Sequence, residues 1–197
     1  LQRQIASDLA SAVEDALING DAAATHQDDI ANWNIRSRWG SSGLGGSADH
    51  RRAWTGLRAQ AFDRSSTLDT SAGTFAKLLE LMAQLGELNS ADKVLITSPE
   101  NVVNNLLSMT QVQTLDVFGP AATILTGQIG AVAGMPIVLS RFMSADMNDS
   151  GLYDNITKDK TGMLIVARDS YNIFSRRGIS VEQDKDITAG AINLVAT

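Results

Sequence analysis

Apolar positions recur with helical spacing over the first eighteen residues: Leu1, Ile5, Leu9, Val13, Ala16 and Leu17 share one stripe, and Gln2, Arg3, Asp8, Ser11, Glu14 and Asp15 fall mostly elsewhere. This predicts an amphipathic surface helix with its apolar stripe against a core. Asn19-Gly20 ends it, because glycine tolerates the left-handed position just past a helix. Residues 69–85 carry the best helical pattern in the chain. Phe75, Leu78, Leu79, Met82 and Leu85 recur three and four apart, Thr70 or Ser71 can cap the run, and Gly86 stops it. A third helix follows Ser98-Pro99, where serine supplies a cap oxygen and proline needs no amide donor. Glu100 suits the positive first turn, and Val102, Val103, Leu106 and Leu107 give this helix an apolar face.

Between and after the helices the pattern turns to strands. Residues 93–97 are a short β-branched and apolar run, Phe118-Gly119-Pro120 is a turn, and residues 123–126 read as a strand. Gly134 punctuates the chain before another β-rich run at 136–139. A sheet from these three runs, covered by the second and third helices, gives an α+β layer arrangement. Beyond Gly162 come apolar runs at 163–166 and 171–174. Arg176-Arg177-Gly178 then reads as a turn, and Ile179 and Val181 alternate with Ser180 and Glu182 in a predicted hairpin. Ile187, Ile192, Leu194 and Ala196 suggest a last strand.

The chain has 197 residues, enough to bury roughly 70% of its unfolded surface as one domain or two small ones. It starts at Leu1, inside a helical pattern with no cap before it, and so reads as a piece of a longer chain. No apolar run is long enough to predict a membrane span. A formal charge of −6 argues against an electrostatically driven nucleic-acid binder, which needs clustered lysine and arginine. Cysteine is absent, which excludes disulfides, thiolate nucleophiles and cysteine-ligated metals.

Candidate chemistry is sparse. Residues 21–47 read as a long loop in which Gly43, Gly45 and Gly46 fail the spacing of a phosphate loop. Trp33 and Trp39 flank Arg36 and Arg38, a set that either stacks on a partner or pins the loop to its own domain. Arg51, Arg52, Arg58 and Arg64 read as a solvated face or as subunit ion pairs. His26 lies beside Asp28 and Asp29, but adjacent loop side chains diverge, and neither His26 nor His50 belongs to a metal motif. Asp146, Asn148, Ser150 and Gly151 match the first half of a calcium loop, yet Thr157 stands where its closing glutamate belongs. Asp184 and Asp186 are expected on a polar turn or edge. The residues therefore nominate no catalytic, cofactor-binding or metal-ligating side chain, and no cofactor.

The strings ITSPENVVNNLL and then TLDVFGPAATILTGQIGAVAGMPIVLSRFM, from Ile96 to Met143, closely resemble the major capsid proteins of tailed phages of the Hong Kong 97 type. In that family a Ser-Pro helix, an FGP or YGP turn, an ILTG strand and a G-x-P-(I/V)-(I/V) strand follow in this order. EDALINGD with THQDD is similar to the end of the family's long spine helix and the loop leaving it, and AWTGLRAQA to the segment joining spine helix and A domain. LIVARDSYNIFSRRGISVEQDKDIT and INLVAT are similar to its closing segment.

The resemblance implies a Hong Kong 97-type fold in three stretches: 1–64 as the end of the spine helix and connecting loop of a peripheral domain, 65–144 as the A domain core, and 145–197 as return strands completing both. It implies a structural head protein of a phage or prophage, not an enzyme, self-assembling through pentamers and hexamers into an icosahedral shell around double-stranded DNA held only loosely. Scaffold or head protease are further implied partners, and virion and host cytoplasm the implied locations. An encapsulin-like compartment shell is the alternative within the fold. A soluble hydrolase or calcium-binding module, using the His26 loop or the Asp146 turn, is the alternative of another class.

Overall fold

The computed structural model describes residues 2–23, 50–70, 75–109, 112–113, 130–143, 147–152, 159–174, 181–186 and 191–196. In chain order the elements are α1 (Gln2–Asn19), α2 (Leu57–Asp63), α3 (Phe75–Ala83), β1 (Lys93–Thr97), α4 (Pro99–Asn104), β2 (Val112–Gln113), β3 (Ala131–Val132), β4 (Met135–Leu139), β5 (Met163–Ala167), β6 (Val181–Asp186) and β7 (Ala191–Ala196). Helices with a mixed sheet give the α+β class that the pattern predicts.

The first five strands form one sheet in the order β2-β3-β4-β1-β5, with β4 parallel to β1 and the other pairs antiparallel. Register places Ile137, Leu95 and Ile165 in one row across its centre. That row, with Leu78 of α3 and Val102 and Leu106 at α4, makes the core. Helical spacing and strand alternation thus converge on one apolar layer between helices and sheet. Pro136 fits here because the Ile137 N–H turns toward the Gly130 carbonyl on the β3 side, so the proline nitrogen faces β1, whose pairing with β4 begins only at Ile137. The cap before α4 forms as the sequence predicts, Ser98 Oγ accepting from the Asn101 amide at 3.1 Å.

Four expectations are corrected. The C-terminal half of α1 buries Ala16 of the expected stripe but leaves Val13 exposed, and it buries Ser11, Asp15, Ile18 and Asn19 as well, because polar partners elsewhere in the chain face that side. Of the apolar face expected on α4, Val102 and Leu106 are buried and Val103 and Leu107 exposed, since the helix stops at Asn104 and only one side meets the sheet. Residues 171–174 form no strand and stay exposed. The hairpin is made by β6 with the last strand, pairing Val181 with Ala196 through Asp186 with Ala191, while Arg176-Arg177-Gly178, Ile179 and Ser180 lie outside the described residues. Asp184 and Asp186 lie within β6. The turn at Phe118-Gly119-Pro120 and the run at 123–126 lie outside the described residues as well.

Candidate functional site

Two polar assemblies could carry chemistry, and each begins at a helix end. Asn19, in the last turn of α1, donates through Nδ2 to Asp15 Oδ1 at 2.7 Å and to the Phe142 carbonyl at 2.8 Å, and accepts from Arg58 Nη1 at 2.7 Å. Arg58 Nη2 continues to the Gly151 carbonyl at 2.7 Å, and His50 Nε2 meets Asp15 Oδ2 at 2.9 Å. Glu14 and Ser11, on the same side of α1, take the Ser140 hydroxyl and the Arg141 guanidinium. One stripe of α1 is thereby bonded to α2, to the short turn His50–Arg52 and to the segment after β4. Buried polar groups require such partners, and here they stand in for apolar packing.

The second assembly runs from β1 into α4. Thr97 Oγ1 donates to the Gly162 carbonyl at 3.0 Å and accepts from Asn101 Nδ2 at 2.7 Å. Asn101 Oδ1 accepts from Asn105 at 2.6 Å and from the Thr161 hydroxyl at 2.9 Å. The result locks the strand-to-helix corner against the chain entering β5.

A cleft of about 490 Å³ opens between these assemblies, with Arg58, Asn101, Asn105, Thr161, Met143 and Met147 among its walls. The polar atoms given above are already engaged in holding one segment to another. The His50–Asp15 couple has half the form of an acid–base relay, but Asp15 also binds Asn19 and the couple ties α1 to the turn at His50–Arg52. Among the described residues no three His, Cys, Asp or Glu side chains converge as metal ligands.

The sequence candidates distribute as follows. Arg51 and Arg58 are buried, against the expectation of a solvated face or subunit ion pairs: Arg58 satisfies the end of α1, and the Arg51 carbonyl accepts from the Asp21 amide at 2.7 Å. Arg52 reaches the Ala22 carbonyl, and Arg64 is exposed. Asn148, in the half calcium loop, turns Oδ1 onto the Ser150 and Leu152 amides at 2.9 and 3.1 Å, an Asx turn that spends this oxygen on its own backbone. Asp149 pairs with Lys160 at 3.3 Å, and its hydrogen bond and charge raise that lysine's pKa above the ordinary value. His26, Asp28, Asp29, Trp33, Arg36, Arg38, Trp39, Gly43, Gly45, Gly46, Asp146 and Thr157 lie outside the described residues. Sequence reasoning missed the α1 network, whose one signal is a run of short polar residues, Ser11, Asp15 and Asn19, four apart.

What the described surface does offer is exposed apolar side chains. Val103 and Leu107 project from one side of α4 and the turn after it, and Ile173 and Phe174 follow the short turn after β5. Contiguous apolar patches mark contact with another molecule, and here Val103 and Leu107 are four residues apart and Ile173 and Phe174 adjacent in sequence. No helix among the described residues is long and apolar enough to cross a membrane. No family model and no curated protein matches the chain.

Proposed function

We propose that this chain is a structural shell subunit: a Hong Kong 97-type major capsid protein of a tailed double-stranded DNA phage or prophage. The observation that carries the reading is the ordered run from SPENVVNNLL through FGP and ILTG to GMPIVLS. Its two ends, a serine-capped helix leaving one sheet strand and a parallel return of β4 beside that strand, suit a wedge-shaped subunit that grips its neighbours. Further support comes from polar side chains spent on internal ties and from apolar ones left on the surface. In this reading copies of the chain meet as pentamers and hexamers, DNA touches the shell only loosely, in keeping with a net charge of −6, and scaffold or a head protease are further partners.

Expressed from its complete gene, the protein should sediment as assemblies far larger than the 21.0 kDa chain and give hollow closed shells under negative stain. DNA inside shells recovered from the native source favours the phage head, and a protein cargo the encapsulin-like alternative. A protein that remains monomeric at every concentration overturns the reading.

A further inference from the structure

We propose that the outer edge of β5 is a docking groove for residues 171–174 of a second copy of this chain, which enter as an added strand. The inference rests on the shell reading and names the surfaces through which two subunits join. β5 is last in the sheet order, so one row of its backbone N–H and C=O groups has no strand neighbour among the described residues. Its sequence, MLIVA, carries neither the charge nor the proline with which free edges are usually guarded. A groove of about 220 Å³ runs along it, bordered by all five residues of β5, hence by both faces of the strand. Leu57 of α2 lies on its wall, as do Leu81, Leu85 and Leu88 from α3 and the turn that follows. A strand edge without a neighbour among the described residues, beside a wall of leucines interspersed with Gln60, Arg64, Ser66 and Gln84, is what strand addition requires.

The occupant is written in the same chain. Tyr171 leaves the turn after β5 with extended backbone, φ −130° and ψ 128°. Tyr171 borders its own groove, but Ile173 and Phe174 run on past it and are 69% and 92% exposed. The bare side chains of Ile173 and Phe174 and a groove with leucines on its wall are complementary, and neither of these two side chains borders the groove of its own copy. Such a contact is head-to-tail and propagates into rings or shells, where a self-paired patch would stop at a dimer. Charge agrees with the pairing. Arg64 stands exposed on the groove and Asp169 stands exposed two residues before the arm, and neither side chain is bonded among the described residues. Docking brings the Asp169 carboxylate of the incoming copy toward the Arg64 guanidinium of the receiving one.

The test uses the protein from its complete gene, with assembly followed by sedimentation velocity across a concentration series. Phe174→Asp should raise the concentration needed for assembly by about tenfold or more, the effect of losing one well-buried anchor. Arg64→Asp and Asp169→Arg should each weaken assembly, and the two together should restore it toward wild type; this swap decides the matter should Phe174→Asp fold poorly. A wild type that assembles while Phe174→Asp assembles equally well, or while the swap does no better than its singles, refutes the groove and leaves the shell reading standing. A wild type that never assembles refutes both.

Discussion

Arg58 Nη1 donates to Asn19 Oδ1 at 2.7 Å, joining two buried side chains 39 positions apart in the chain. Through its second amino group the same guanidinium holds the Gly151 carbonyl, so one side chain fastens α1, α2 and the turn at 148–151. Removing it leaves buried acceptors without their donor, and that penalty exceeds the net worth of the bonds themselves. Arg58→Leu should therefore cost about 3 kcal/mol in urea unfolding. Arg58→Lys should recover only part, because an ammonium lacks the planar fork that serves two acceptors at once. A midpoint within error of wild type for Arg58→Leu would show the network to be incidental.

Gly56 and Gly20 make the close approach that lets this network form. A methyl group at position 56 would stand 2.6 Å from the Gly20 nitrogen and 2.9 Å from the carbonyl oxygens of Ala16 and Leu17. All three are backbone atoms, which cannot swing aside. Since Gly56 has an ordinary φ of −76°, the cost is steric, and Gly56→Ala should destabilise by about 3 kcal/mol. Gly162 is the control. There the added methyl would meet the mobile ends of Met147 and Met143 at 2.6 and 3.0 Å, so Gly162→Ala should cost only about 1 kcal/mol. Equal losses at the two sites, read from paired thermal melts, would contradict the assignment.

How far the fold could be read in advance depended on whether local chemistry or distant partners decided each element. Ser98-Pro99 is decided locally: the cap oxygen and the proline act within one turn, and helix start, strand end and cap bond all fall where the pattern put them. Ser98→Ala should accordingly cost about 1 kcal/mol, measurable by urea unfolding. α1 is the opposite case. Its apolar stripe was legible, but burial followed Ser11, Asp15 and Asn19, whose partners Arg141, His50 and Arg58 lie up to 130 residues away. No period within the helix reports that. The edge position of β5 was equally hidden, because strand order depends on tertiary pairing, and the run at 171–174 carries a strand-like sequence without a strand neighbour among the described residues.

Val102 and Val103 turn this distinction into a measurement on adjacent, identical residues. Val102 is buried in the core and Val103 is 66% exposed. Val102→Ala should cost about 2 kcal/mol through lost apolar contact and the cavity left behind. Val103→Ala should stay within about 0.5 kcal/mol of wild type, as surface substitutions do. A large loss at 103 in unassembled protein would mean that the helix faces the sheet with its other side.

Ala133 holds strain that substitution can relieve. It has φ +50° and Gly134 has φ +78°, and the register Val132 to Met135 leaves these two alone in the loop between β3 and β4. Two consecutive left-handed residues define the hairpin turn that follows strand twist, a turn that favours Asn-Gly. Alanine in that conformation is penalised by about 1 kcal/mol, because its Cβ crowds the following carbonyl, whereas asparagine tolerates it better. Ala133→Asn should raise stability by about 0.5 kcal/mol, the gain being limited by the polar amide that the substitution adds where the Ala133 methyl packs at the edge of the core. Ala133→Val, with a branched β-carbon, should lower it by at least about 1 kcal/mol. If urea unfolding ranks valine level with asparagine, the turn between β3 and β4 is not left-handed at this position.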